Sequence, residues 1–469
     1  MTSLDEASAA GVQAQRLAEY AVSSSYDDLP PEASEQAKMV VYDELACAVV
    51  GSELPAGRIV ARYVRSMGGV GDAAILGTAG GRAPAGLAAL ANGSFGHANE
   101  SDSVHSTSDF LATGHPASVI IHAVSAIAEM QSASGAELIN AVVLAYDIGS
   151  RTVSATGGLK RMERQHGIYA GSFHSIGAAF GCSRLLHLDQ TRTLHAAGLA
   201  LNMGINGYTF YAEKRHMSKA LNEGQSASAA VTGALLASMG LEATDDVFEG
   251  RGGVIPSWGE RGREGELARE LGSEYAIMGS NFKFYCAGYP IHSAIEAALL
   301  LRQEHGFAVS DISRIRATLP EYPASVVRDR GMPTISLQHM VGAALVAGRL
   351  GFDDAHSAAL TAHPETLRLK SVIDLVADPD FDATQPRGAH LIVYLNDGRA
   401  LEKLVPHPKG HRFREPRPGW GELHEKWAPL LEPRLGPSRS DEFLAISRQM
   451  EALEDVNQLI ALLVSASRA

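Results

Sequence analysis

The sequence predicts a mainly α-helical protein with a smaller α+β module. Three observations carry that prediction. Apolar residues recur at helical spacing through roughly the first 275 positions, bounded by residues that start and stop helices. Two of those segments are rich in Ala and Gly, which suits close helix packing. Near position 280 the texture changes, and alternating apolar residues with an Asn-Asp-Gly turn signal strands.

The elements follow in order. Pro31 sits at a first helical position after Asp27 and Asp28, with Val40, Val41, Leu45, Ala48 and Val49 on one face and Gly51 at the end. Pro116 opens a second helix that runs to Met130. Ser134 and Glu137 have capping-box spacing for a third, which carries Leu138, Ile139, Val142, Val143 and Tyr146. Small-residue helices are predicted over 171–186 and 219–239. An aromatic content of 6% agrees with a tight Ala- and Gly-rich core.

Beyond 280, 290–304 reads as a helix and 312–319 as a strand, with Ile312, Arg314, Arg316 and Thr318 alternating against Ser313, Ile315, Ala317 and Leu319. A helix over 335–350 follows. Segments 390–395 and 399–405 flank Asn396-Asp397-Gly398 as a hairpin. The chain then turns Pro-rich and is helical from Asp441 to the end. With 469 residues, more than one core is expected. The divisions are a helical domain over 1–277, an α+β domain over 278–406, and a segment over 407–469 that returns to the helical domain.

Composition narrows the function. Hydrophobic residues make up 45% and charged residues 20%, ordinary for a globular chain. A net charge of −13 with no basic block argues against nucleic-acid binding. Cys47, Cys182 and Cys286 form no CxxC and no disulfide framework, which fits a reducing cytoplasm. The first twenty residues carry acids early and lack the apolar core of a secretory leader. No run of 18 apolar residues predicts a membrane span.

The chemistry concentrates between positions 97 and 115. His97, Glu100, Asp102, His105 and His115 lie there with Asn99, Ser103 and Ser106, directly before an apolar helix. Such a polar loop running into a buried helix can hold acids and bases at the edge of a core. Imidazole exchanges protons near neutral pH without heavy tuning. Gly69-Val-Gly71-Asp-Ala-Ala74 matches a relaxed dinucleotide fingerprint, but it follows a helix-like stretch and reads as a flexible turn. Asp102, His105 and His115 have no metal-site spacing, and no metal or other cofactor is expected. His174 lies on a small-residue helix, where a satisfied core histidine is the plain alternative to a catalytic one. Lys219 opens an apolar helix where burial favours an anionic partner. Lys283 is bracketed by aromatics at the domain junction, with Tyr285, Tyr289 and His292 close by; such junctions commonly hold clefts.

Six segments, in order, resemble the MmgE/PrpD family, which includes 2-methylcitrate dehydratases, cis-aconitate decarboxylases and iminodisuccinate epimerases. They are Ala91-Asn-Gly-Ser-Phe-Gly-His-Ala98, Gly114-His-Pro-Ala-Ser118, Ser172-Phe-His-Ser175, Lys219-Ala-Leu-Asn-Glu-Gly224, Lys283-Phe-Tyr-Cys-Ala-Gly288, and Leu395-Asn-Asp-Gly-Arg399 with His407-Pro-Lys-Gly410. The resemblance implies a large all-helical domain, a smaller α+β lid, a cofactor-free enzyme and a homodimer. It also points to a small di- or tricarboxylic acid as substrate. The family's Asp-Phe-Asp-Asp-Thr run reads Glu100-Ser-Asp-Ser-Val104 here, which alters the surface that orients the substrate.

The expected reaction removes or relocates a proton beside a carboxylate. Abstraction there adds charge to an anion, so positive groups must offset it in the transition state. Lys219 and Lys283 are the candidates, with either lysine able to act as base if its pKa falls. His115 is expected as acid or base, His174 as its counterpart or as a substrate ligand, and Asp102 as a group that orients a histidine or binds a substrate hydroxyl. Glu100, His105, Tyr285, Tyr289 and His292 are expected to line the substrate. Dehydration in the manner of 2-methylcitrate dehydratase is the first expectation, with decarboxylation or epimerisation of a related acid as alternatives. A degenerate member that only binds a carboxylate ligand or serves as a scaffold is the alternative of another class.

Overall fold

Helices dominate the fold because the sequence supplies caps and small residues where helices must touch. The computed structural model describes residues 11–464; the leader reading over 1–10 and the last five residues lie outside them. Helix Pro31–Gly51 starts at its proline. Helix Gly135–Ala155 begins with the expected capping box, Ser134 accepting from the Glu137 amide and Glu137 from that of Ser134. Helices Ala85–Ala98 and Ser218–Ser238 pack at Gly93 and Gly224, where a Cβ on Gly224 would lie 2.2 Å from the Leu90 carbonyl. Helices Gly135–Ala155 and His174–Leu185 meet in the same way at Gly149 and Gly177. No described helix is long and apolar enough to cross a membrane.

The larger apolar cluster joins these helices, and residues 423–463 pack into it. Helices Trp420–Leu435 and Pro437–Arg448 lie on helix Pro31–Gly51. There the Trp427 indole and the Lys426 ammonium both donate to the buried Asp43 carboxylate at 2.7 Å. Lys426 also donates to the Ser101 carbonyl at 2.9 Å, so the tail braces the loop that carries the titratable stretch.

A second cluster covers residues 287–405. Its four-stranded sheet runs in the order Ile373–Asp378, Ile312–Pro320, Ala389–Leu395, Ala400–Val405, and helices His292–His305 and Leu337–Ala347 pack in the same cluster. The first pair is parallel and the others antiparallel. Gly398 closes the hairpin with φ 91°, as the Asn-Asp-Gly signal requires. Strand Ile373–Asp378 escaped the sequence reading: it leaves helix Pro364–Val372 without a break, and Asp374 and Asp378 interrupt its apolar pattern.

The helical part also holds two small sheets. One pairs Ala73–Ala74, the end of the Gly-rich stretch, with Arg82–Ala83; the residues of that stretch before Ala73 form a loop. The other has three short strands, Ala112–Gly114, Val104–Ser106 and Ser280–Asn281, with Val104–Ser106 in the middle. It ties the middle of the titratable stretch to the segment before Lys283 on one side and to the residues before His115 on the other.

Candidate active site

The stretch from 97 to 115 was expected as a polar loop; most of it is buried. His97 ends helix Ala85–Ala98, and the chain then turns sharply through Asn99 to Ser103. Asn99 holds this turn, its side chain donating to the Cys47 carbonyl and accepting from the Ser101 amide. Glu100 takes φ 56°, a left-handed conformation that is costly for a residue with a side chain. Two ammonium groups hold it there. Lys219 Nζ lies 2.6 Å from Glu100 Oε1, and Lys283 Nζ lies 2.9 Å from Oε2. Lys283 also reaches Asp102 Oδ1 at 3.4 Å.

Asp102 joins two imidazoles. His97 Nδ1 bonds its Oδ2 at 2.8 Å, and His115 Nδ1 lies 2.7 Å from the same oxygen, close but poorly aligned. Ser118 donates to that oxygen at 3.1 Å. The Lys219 ammonium also touches His97 Nε2. An ammonium only donates, which assigns the lone pair of His97 to Nε2 and its proton to Nδ1. The carboxylate likewise favours Nδ1–H on His115, leaving His115 Nε2 as a free base.

Burial alone would raise Asp102, but His115, His97 and Lys283 hold it well below the usual carboxylate range. Burial is likewise outweighed at Glu100, where Lys219 and Lys283 keep the carboxylate ionised. His115 falls to about 3, mainly by burial against the opposing pull of Asp102, so its ring is neutral at physiological pH. Lys283 runs against expectation. Burial would lower it, yet Glu100 and Asp102 raise it above the ordinary lysine value, so it is a locked cation and not a base.

These groups sit beside a cleft lined by both parts of the fold. From the helical part come Glu100, His105, His115, Glu163, Tyr169, Tyr208 and Lys219; from the α+β part come Tyr289, Tyr322, Arg330 and Arg387. His115 precedes helix Pro116–Gln131, and Lys219 lies in the first turn of helix Ser218–Ser238. Two helix N-termini therefore meet at the cleft, where peptide dipoles favour an anion. Lys219 is 13% exposed, whereas Lys283 is fully buried behind the two carboxylates.

The structure thus brings Glu100, Asp102, His115, Lys219 and Lys283 together, but only some of them reach the cleft. His174 is not among them. Its Nε2 meets the Thr113 carbonyl at 2.9 Å and its ring packs against Gly149, so it is a core histidine behind strand Ala112–Gly114. His105 has both nitrogens occupied, by Thr113 Oγ1 and the Ala276 carbonyl. It touches the cleft without a free nitrogen to offer. His292 bonds the Ala287 carbonyl and packs with the Tyr285 and Tyr289 rings away from the cleft; Tyr285 stays outside the cleft too, and Tyr289 lines it.

Sequence reasoning passed over three groups. His97 lay inside the titratable stretch but was given no role. His216, three positions before Lys219, sits 3.5 Å from Glu100 Oε1 with no hydrogen bond on either nitrogen. Its place in a basic Lys-Arg-His run disguised it. Glu163 lies on a π-helical turn, Met162–His166, accepts from the Tyr322 hydroxyl at 2.6 Å, and is pushed up to about 7, chiefly by burial. No local pattern marks it.

His97, Asp102 and His115 bring one ligand atom each within 4.8 Å of one another, as do His97, Glu100 and His216. A divalent ion at either place would enter against the Lys219 and Lys283 charges that already sit on these carboxylates.

Buried neutral histidines make stability depend on pH. His105, His115, His122 and His292 fall to about 3 and His174 to about 4, mainly by burial. Unfolded, each titrates near 6.5. Between those values the unfolded chain binds more protons, so stability rises with pH there and is lost as pH falls. Thermal unfolding followed from pH 7.5 to 4.5 is expected to show a melting temperature that declines steadily below about pH 6.5. A flat profile across that window would contradict the neutral assignment.

A cleft between a helical body and an α+β module, with Glu100, His115 and Lys219 on its wall, has the kinds of group that acid–base chemistry on a small anion requires. The chain belongs to the MmgE/PrpD family: the MmgE/PrpD N-terminal domain matches residues 15–261 and the MmgE/PrpD C-terminal domain matches residues 285–452. Among curated proteins it is similar to the cis-aconitate decarboxylase-like protein oryM of Aspergillus oryzae, 28% identical over 93% of this chain and 94% of that protein. It is also similar to cis-aconitate decarboxylase of Aspergillus terreus, 25% identical over 98% of this chain and 97% of that protein.

Proposed function

We propose that the protein is a lyase that acts beside a carboxylate of a small tricarboxylic acid, with its own side chains moving the protons. The observation that carries this reading is His115, a neutral imidazole oriented by Asp102, in one cleft with the Lys219 ammonium. A substrate carboxylate at Lys219 exchanges places with a Glu100 oxygen, and the two helix N-termini add to its binding. As charge builds on the carbon beside it, the ammonium offsets that charge in a site shielded from water. His115 Nε2 takes or returns the proton, a contribution of roughly 10²–10⁴-fold.

Two bond cleavages use these groups. Loss of CO₂ leaves its electron pair on carbon, and the carbanion takes one proton from the protonated form of Glu163, which solvent then restores. The names of the curated relatives support this reading. Loss of water removes a C–H proton to His115 while an acid protonates the departing hydroxyl. Glu163, with a pKa of about 7 in the same cleft, supports this second reading, since a free base and a carboxyl that is protonated part of the time then face one substrate. Incubation with cis-aconitate, citrate and 2-methylcitrate in deuterated buffer separates them: released CO₂ with one solvent deuteron on carbon, or released water with a new double bond. Absence of both turnover and exchange with all of these acids would refute the lyase reading.

A further inference from the structure

Arg387 lies between helix Pro379–Thr384 and strand Ala389–Leu395 and lines the cleft from the α+β side. Its guanidinium is poorly used. Nη2 donates to the Phe110 carbonyl at 3.4 Å, the outer limit of a hydrogen bond, and Nε is closed off from solvent without a partner. Among the described residues, no carboxylate oxygen lies within the 4.0 Å of an ion pair. Arg330, on the same wall, is a contrast. Its guanidinium donates to the Val326 and Tyr211 carbonyls and stacks 3.9 Å from the Tyr211 ring centroid. Beside Arg387, the Tyr289 hydroxyl is likewise buried in the cleft without a partner.

A desolvated guanidinium without an anion is unfavourable. Its planar fork fits a carboxylate with two parallel hydrogen bonds, and a tyrosine hydroxyl can donate a third. We propose that Arg387 and Tyr289 seat a second carboxylate of the substrate, distinct from the one at Lys219. This inference rests on the carboxylate reading of the cleft and adds to it. The substrate then bridges the helical and α+β parts, one carboxylate on each, and a monocarboxylic acid is rejected because it leaves one seat empty.

Calorimetric titration of the full-length protein with propane-1,2,3-tricarboxylate, which carries no hydroxyl to lose, and with butanoate tests this. The unaltered protein is expected to bind the tricarboxylate. Arg387→Gln is expected to weaken it about 10–100-fold and Tyr289→Phe about 3–10-fold, with the weak butanoate affinity unchanged in both. If the unaltered protein and Arg387→Gln bind the tricarboxylate alike, the second seat is overturned and the lyase reading stands. If the unaltered protein binds no tricarboxylate, both fall. Equal weakening toward tricarboxylate and butanoate would show a merely structural arginine and overturn the seat. Should Arg387→Gln fail to fold, Tyr289→Phe decides: unchanged affinity overturns the proposal.

Discussion

His115→Ala is expected to lower kcat by about 10²–10⁴-fold while the melting temperature stays near that of the unaltered protein. The separation follows from where the ring sits. His115 is 14% exposed, and its side chain makes no capping bond to the helix it precedes. Asp102 keeps His97, Ser118 and Lys283 when the ring is removed, so no buried charge loses its last partner. The base at the cleft is lost and the charge network survives. Turnover of whichever tricarboxylic acid proves active, measured beside thermal unfolding, checks this. A parallel loss of activity and stability would make His115 a structural cap.

Lys283→Met has the opposite signature. It removes the ammonium shared by Glu100 and Asp102, both buried to within 1%. Stripping one partner from a buried ion pair costs about 3–5 kcal/mol, because the remaining charge is left without compensation. The deficit also depends on pH. In the unaltered protein both carboxylates are held below their usual range, so their contribution is present above the unfolded carboxylate pKa and is lost as pH falls through the folded one. Without Lys283 the carboxylates rise and protonate more readily, so the variant's deficit shrinks toward low pH. Denaturant unfolding at pH 7 and pH 5 measures both effects. Loss of turnover at undiminished stability would return Lys283 to the catalytic role its sequence context suggested.

How far the sequence revealed this protein differs between fold and site. Helices announced themselves wherever the start signal was local, as at Pro31, Pro116 and Ser134, because capping depends on residues three or four apart. The Asn-Asp-Gly hairpin was legible for the same reason. Strand Ile373–Asp378 was not, since its pairing partner lies about sixty positions away and its own pattern is broken by acids. The site followed the same rule. Glu100, Asp102 and His115 lie within sixteen positions and were visible as a group. Lys219 and Lys283 were found through their settings, one opening a helix and one between aromatics, but not which of them reaches the cleft. His174 and His115 look alike in sequence. What separates them is Gly149, whose missing side chain makes room for the His174 ring inside the core. Arg387 and Glu163 acquire meaning only from the opposite part of the fold, which no local spacing encodes.

The bond between Lys426 and Asp43 spans 383 positions, and the same lysine supports the turn at Ser101. During synthesis the N-terminal helices emerge long before the segment that covers them. The part of helix Pro31–Gly51 that meets helices Trp420–Leu435 and Pro437–Arg448 stays uncovered, and the Ser101 carbonyl lacks its lysine, until those residues have emerged. Bracing of the Glu100 turn therefore waits on a segment more than three hundred positions downstream, and the apolar surface that segment covers is open to other chains until it docks.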